Sequence, residues 1–246
     1  MKLIELEEVD STNDYLKREY KNLPMQACVT TKHQTKGRGR NGHVWQSHPN
    51  ENLIMSFLFK DFHKIEDAWK MTQLATCSVV GLLDRNRIKA TIKWPNDIVL
   101  NRKKVCGILT EMNMEIDSIA YVVVGVGINV NRMEFREDIA ETATSLKKES
   151  GHSIERAELL SEILSAFFRD YKLFLEKQDL SPFLESYNQK LVNVGREVKI
   201  IKKGEEIIRT AIGINDRGEL IVQDAEGNTE HIFSGEVSVR GIYGYV

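Results

Sequence analysis

Three cysteines, Cys28, Cys77 and Cys106, are too few and too scattered for a disulfide framework or a metal knuckle. An odd number cannot all pair within one chain, so they read as small buried hydrophobes in a reducing compartment, and the expected location is cytoplasmic. The six histidines lack zinc spacing as well, and no resident metal is expected. No apolar run approaches the ~20 residues that span a bilayer. The opening Met-Lys-Leu-Ile-Glu-Leu-Glu-Glu is no signal peptide, so neither membrane nor export is expected. A general positive charge is also missing: the net charge is −2, which argues against a dedicated nucleic-acid binder. What is present, 41% hydrophobic and 28% charged residues among 246, suits one large soluble domain or one with a small appendage.

Against this background Thr31 to Trp45 stands out. It carries Gly37, Gly39 and Gly42, several cations and a closing tryptophan, with no apolar residue between Thr31 and His43. A segment without an apolar face cannot pack as a helix or buried strand, so an irregular surface loop is expected. Its glycines let backbone N–H groups approach an anion, and Arg38 and Arg40 add forked donors for carboxylate or phosphate. Gly37 to Gly42 formally fits G-x-G-x-x-G. That motif must open a helix, and His43 to Asn52 is polar, holds Pro49 and lacks a helical period. A solvated basic loop, or one touching nucleic acid, remains open from this segment alone.

The rest of the chain supplies the frame. Residues 2–8 alternate as a short edge strand. Asp10 to Asn13 offers caps for a helix ending near Pro24, and Ser11, Thr12 and Asn13 serve either capping or a polar ligand head. Strands are expected over 27–32, 52–59, 105–112 and 119–130, with a polar turn at 101–104 and another near Asp117. Amphipathic periodicity predicts helices over 64–86, 154–177 and 181–191. Pro95 interrupts the stretch Lys93-Trp94-Pro95-Asn96-Asp97, in which Trp94 reads as core and Lys93 as pairing with a nearby acid. Gly125 and Gly127 inside a strand point to close backbone approach. From Val194 short alternating segments separated by Gly204, Gly218 and Gly227 predict a small β-barrel, with a domain boundary near residue 193.

Taken in order, Ser11-Thr12-Asn13, Gln34 with Gly37-Arg38-Gly39-Arg40 and Trp45, Lys93 to Asp97, Lys103 to Leu109, and Gly125 to Asn131 resemble the biotin protein ligases across essentially the whole chain. The closing Gly235 to Arg240 resembles the end of that family's small C-terminal barrel. The resemblance implies an α+β fold. A mixed-sheet catalytic domain of the class II synthetase and lipoate-ligase type would span 1–192, and an SH3-like domain 193–246. Family members with a repressor role carry an N-terminal helix-turn-helix domain, and with the Ser-Thr-Asn motif at residue 11 none is expected here.

The implied reaction has two steps. Biotin and MgATP form biotinyl-5'-AMP, and the acyl group then passes to a specific lysine of a carboxylase's biotin carrier domain. By the resemblance Lys104 meets both the biotin carboxylate and the α-phosphate, and Arg40 and Asp97 complete the catalytic set. Ser11, Thr12, Asn13, Gln34, Gly37 and Arg38 bind biotin with Lys104. Arg38, Arg40, Trp45, Lys93, Asn96 and Asn129 serve ATP. Lys103 is expected to be a solvated neighbour. His43-Val44 replaces a basic pair found in some members, which removes phosphate contacts there. A homodimer is compatible with this picture, whereas DNA and membrane are not expected. The alternatives are a lipoate-ligase-like acyltransferase and a non-catalytic nucleic-acid or regulatory module.

Overall fold

The computed structural model describes residues 1–62, 64–116, 118–202, 205–234 and 238–241. Seven strands form one mixed sheet: β1 (Lys2–Val9), β2 (Gln26–Gln34), β3 (Asn52–Phe59), β4 (Thr91–Lys93), β5 (Asp97–Leu100), β6 (Lys103–Glu115) and β7 (Ser118–Asn129). Their order is β1-β2-β3-β7-β6-β5-β4, with β1 parallel to β2 and every other pairing antiparallel. Alternation along the strands sends Met55, Phe57 and Phe59 of β3 and Val122, Val124 and Val126 of β7 to one side. There they meet the apolar faces of α2 (Ile65–Arg85) and α4 (Arg156–Lys177) in a single core, with Phe57 stacked on Phe167 at 4.4 Å.

The opposite side is only half covered. Helix α1 (Thr12–Glu19), capped by the Ser11 side chain, buries Leu16 against Val29, Leu58 and Val123 in a second, smaller cluster. Beyond it the same face carries Ile54, Ser56, Gly107, Gly125, Gly127 and Asn129. Cross-strand pairing sets Gly107 beside Gly127 and Gly125 beside Ser56. A valine buried at such a position contributes about 1.5–3 kcal/mol. Stability alone would therefore not choose glycine three times at the centre of a sheet; the bare floor serves what lies above it.

After α3 (Leu146–Ser150) and α4, the expected helix over 181–191 begins as a 3-10 turn at Ser181–Phe183 and becomes α5 (Leu184–Lys190), since Pro182 lies in its first turn. A second, antiparallel sheet follows: β8 (Glu197–Lys202), β9 (Glu205–Ile214), β10 (Leu220–Gln223), β11 (Thr229–Ile232) and β12 (Ser238–Gly241), ordered β11-β10-β9-β8-β12. Its buried Val198, Ile200, Ala211, Leu220 and Val222 belong to the same core as the large sheet.

One expectation is corrected. The polar turn at 101–104 is confined to Asn101 and Arg102, both with left-handed backbone (φ 47° and 67°). Lys103 and Lys104 already belong to β6, paired with Leu100 and Val99. The Asn131–Ser150 segment, which shows no strong period, contains α3 and an extended stretch that bridges Ala143 to Lys104. The turn position Asp117, the separator Gly204 and Gly235, Glu236 and Val237 of the closing motif lie outside the described residues.

Candidate functional site

The bare half of the sheet forms the floor of a cleft of about 840 Å³. Trp45 lies on that floor, and only glycine admits it: a Cβ on Gly127 would stand 2.6 Å from indole Cε2, and one on Gly107 would stand 3.0 Å from Lys104 Nζ. At Gly125 a Cβ would come within 2.3 Å of Asn13 Oδ1. The close approach expected from these strand glycines is thus made by the protein's own side chains. Trp45 Nε1 is buried and, among the described residues, has no hydrogen-bond partner. An unpaired buried donor costs about 1–3 kcal/mol, which an acceptor on a ligand would offset.

The loop that delivers Trp45 is more ordered than its composition suggests. Gly39 N donates to His43 O at 2.7 Å and Trp45 N to Gly37 O at 3.0 Å, while Arg38 bridges to Val44. The result is a small hairpin whose tip uses left-handed backbone at Asn41 and Gly42. Gly37 does not line the cleft; a Cβ there would sit 2.2 Å from Trp45 O, so its part is to let the hairpin close.

One end of the cleft is polar but balanced in charge. Thr12 N donates to Gln34 Oε1 at 2.7 Å, and Thr12 Oγ1 lies 3.0 Å from the same oxygen. Ser56 Oγ lies 2.7 Å from Thr12 Oγ1 and 2.6 Å from Asn13 Oδ1. Asn13 Nδ2 donates to Glu111 at 2.8 Å. Ser11 is taken up by capping, accepting from Asp14 N, while Thr12 and Asn13 face the cleft. Arg38 spans two carboxylates, Asp14 at 2.7 Å and Glu111 at 3.0 Å, with Lys17 beside them. Its charge is therefore largely neutralised by the protein.

The other end differs. Lys104 Nζ stands 2.6 Å from Asp97 Oδ1 and 5.8 Å from the Trp45 ring centroid. Arg40 donates to Asn96 Oδ1 at 3.3 Å and to Ser234 O at 2.6 Å, neutral acceptors both. Burial pulls the Arg40 guanidinium below its ordinary range, and nearby Asp97 partly offsets this. Asn96 is fixed by its Nδ2 bond to Ile108 O. Lys93 is buried at the end of β4, in register with Asp97. Asn129 accepts from Asn52 and donates to Thr144 O, which among the described residues leaves one amide N–H for a ligand. Arg132, 2% exposed, donates to Glu134 O, Gln46 O and His48 Nε2 and lies 4.8 Å from the Phe135 ring. Burial lowers its pKa as well. Cations thus outnumber anions here, in partly dry surroundings where each charge acts more strongly than in water.

Every site residue expected from sequence other than Gly37 lines this one cleft. Sequence reading missed Ser56, Glu111 and Arg132. Ser56 and Glu111 sit on the cleft side of β3 and β6, and only the strand register reveals that they face Asn13. Arg132 follows the Gly125 to Asn131 motif directly, and a cation there was the available signal. Trp94, read as core, is buried and donates from Nε1 to Gly218 O. Cys106, fully buried beneath the floor, has its thiol pushed well above the ordinary range by burial, as a small hydrophobe should.

Comparison with known proteins points the same way. The model for the Biotin/lipoate A/B protein ligase family matches residues 5–129, and that for the Biotin protein ligase C terminal domain matches 194–240. The chain is 33% identical over 221 residues to the bifunctional ligase/repressor BirA of Bacillus spizizenii, with 89% of this chain and 67% of that protein covered. It is 28% identical to the biotin--[acetyl-CoA-carboxylase] ligase of Paracoccus denitrificans, with coverage of 90% and 94%. The fold is similar to that of a biotin protein ligase from Aquifex aeolicus in complex with biotin and ATP. That match has 33% identity, a TM-score of 0.84, and 98% and 99% of the two chains covered.

Proposed function

The chain belongs to the biotin/lipoate A/B protein ligase family, and from that premise we propose that its cleft activates biotin with MgATP and passes it to a carrier lysine. The observation that carries this reading is the split of charge along the cleft. One end offers hydrogen-bonding groups with its charges balanced; the other concentrates Lys104, Arg40 and Arg132 against Asp97. A ligand with a polar uncharged head and an anionic tail fits that gradient, with the tail meeting a polyphosphate at the basic end.

In the first step a biotin carboxylate oxygen attacks the α-phosphorus, a new P–O bond forms, and the bond to the β-phosphate oxygen breaks to release pyrophosphate. Two anions must meet, and fixed cations remove the repulsion without reorganising; one such preorganised contact is worth about 3 kcal/mol. Lys104 is assigned the shared contact, and Arg40 the phosphates. In the second step the carrier lysine attacks the acyl carbon and AMP leaves. That amine, with an unperturbed pKa near 10.4, must first lose a proton, and Asp97 is assigned to orient it and receive that proton once its pair with Lys104 loosens. Ser11, Thr12, Asn13, Gln34, Gly37 and Arg38 form or support the biotin end. Trp45, Lys93, Asn96 and Asn129 serve the nucleotide, with Trp45 Nε1 free for an acceptor.

Residues 1–192 are proposed as the biotin- and ATP-binding unit and 193–246 as the C-terminal unit. The proposal includes a carboxylase carrier domain as acceptor, a cytoplasmic setting and room for a homodimer, and includes neither DNA nor membrane. Among the described residues no helix is long and apolar enough to cross a bilayer. The deciding experiment is biotin-dependent exchange of radiolabelled pyrophosphate into ATP, with lipoate as the competitor. Exchange with biotin but not lipoate is expected; exchange with lipoate alone, or none, would overturn the reading.

A further inference from the structure

Glu111 stands where three elements meet. Its Oε2 accepts from Asn13 Nδ2 of α1 at 2.8 Å, and its Oε1 accepts from Lys17 Nζ at 2.6 Å and from Arg38 Nη2 of the hairpin at 3.0 Å. It lies on β6, on the cleft side of the sheet, with Leu109 two residues before it.

The carboxylate sets the sense of a hydrogen-bond chain. Asn13 Nδ2 is flanked by two pure acceptors, Glu111 Oε2 and Leu109 O. The amide therefore cannot turn over, and its oxygen must face Ser56. That oxygen carries no proton, so the single hydroxyl proton of Ser56 goes to it across 2.6 Å. Ser56 Oγ can then only accept from Thr12 Oγ1, 2.7 Å away, while Thr12 N holds Gln34 Oε1. Ser56 and Asn13 are 0% and 4% exposed, so water does not supply substitute partners. Charge adds a second constraint. Asp14 and Glu111 together balance Lys17 and Arg38, which ties the hairpin to α1 without leaving net charge at this end.

We propose that Glu111 is a positioning and specificity-determining residue: through Asn13 and Ser56 it fixes the donor–acceptor sense of the polar end, so that this end selects a cyclic urea. The inference rests on the proposed biotin ligase reading. A urea ring offers one carbonyl acceptor flanked by two N–H donors, and a site matches it only if its own donors and acceptors cannot exchange places. A dithiolane ring such as lipoate's offers no such groups and gains nothing from a fixed sense.

The test is Glu111→Gln in the full chain, which keeps shape, removes the charge and replaces one acceptor oxygen by an NH2 that must face a donor in either orientation, Asn13 Nδ2 on one side or Lys17 and Arg38 on the other. Pyrophosphate exchange is measured with biotin and ATP varied separately. The biotin KM should rise about tenfold or more, the scale of one misdirected buried hydrogen bond, with the ATP KM unchanged. The preference for biotin over lipoate should fall by the same factor. A role in packing alone would leave the biotin KM of this isosteric variant at the wild-type value, and that result overturns the proposal, as does an equal rise in both KM values. Should the glutamine variant fail to fold, Glu111→Asp keeps the charge facing Lys17 and Arg38 but falls one methylene short of Asn13, and is judged by the same outcomes. Wild-type protein without biotin-dependent exchange would instead sink the ligase reading, and this inference with it.

Discussion

Lys104 is held by backbone on both flanks. Its N–H donates to Thr142 O at 2.7 Å, and its carbonyl accepts from Thr144 N at 2.8 Å. The side chain is therefore aimed from a strand, not from the polar turn that the run Asn101 to Lys104 suggests. Lys104→Ala should leave the thermal midpoint nearly unchanged and cut biotinyl-AMP formation by at least about a hundredfold, the loss expected for one preorganised charge contact of ~3 kcal/mol. Single-turnover formation of adenylate at the wild-type rate would remove Lys104 from its role. Gly127 makes a sharper case, because its substitution touches no charge. Gly127→Ala places a Cβ 2.6 Å from the Trp45 indole, so the ring must leave the floor. The expected result is a raised ATP KM and a shift in tryptophan fluorescence on the nucleotide-free protein. An unshifted spectrum with normal ATP KM would show that the floor can yield. At this scale the motif residues were legible because cations, glycines and amides cluster unusually in sequence. Glu111 and Ser56 were not, since an acid or a serine in an alternating strand looks like any solvent-facing position until its neighbour across the sheet is known.

The hairpin from Gly37 to Trp45 shows where composition misleads. Lack of an apolar face predicts an irregular surface loop, yet its ends are stitched by backbone hydrogen bonds and its two arginines reach in different directions. Arg38 ties the hairpin to α1 and β6. Arg40 ties it to Asn96 and to Ser234 of the C-terminal unit, so it closes the cleft as well as charging it. Arg40→Gly removes that closure and leaves Lys104 in place. The variant is expected to form adenylate but release it early, and so to modify bystander lysines on an unrelated protein added to the assay. Retention of adenylate with strict carrier specificity would show that closure does not depend on Arg40. Limited trypsin cleavage after Arg38 and Arg40 should fall when biotin and ATP are added, because a covered mixed anhydride needs a hairpin that excludes water. The long elements were legible from period alone: β3 and α2 lie within a residue or so of their expected limits. The Asn131–Ser150 segment was not, because its order comes from tertiary bonds to Lys104 and Asn129 and not from any repeat of its own.

For the whole molecule the open question was whether the C-terminal sheet is an appendage. A unit of about 50 residues buries too little core to stand alone comfortably, and this one shares its core with the large sheet. Trp94, beside the catalytic motif, donates from Nε1 to Gly218 O; Asn188 of α5 bonds Ile214 through both amide atoms; and Trp94 N donates to Asn193 Oδ1 across the expected boundary. Trp69 of α2 packs on Phe233 at 4.0 Å between centroids. Truncation after residue 192 would strip partners from Trp94 and α5 and expose buried apolar surface, so the fragment is expected to lose cooperative thermal unfolding, with adenylation lost alongside. Truncation therefore cannot separate stability from carrier handling, whereas Phe233→Ala can. It frees one face of Trp69 and keeps the rest of the seam; burying an aromatic there contributes a few kcal/mol at most. If the C-terminal sheet helps receive the carrier, this variant should make biotinyl-AMP at the normal rate and transfer it to the carrier domain more slowly. Equal rates for both half-reactions, with only a lowered thermal midpoint, would leave the second sheet a purely structural part of the enzyme.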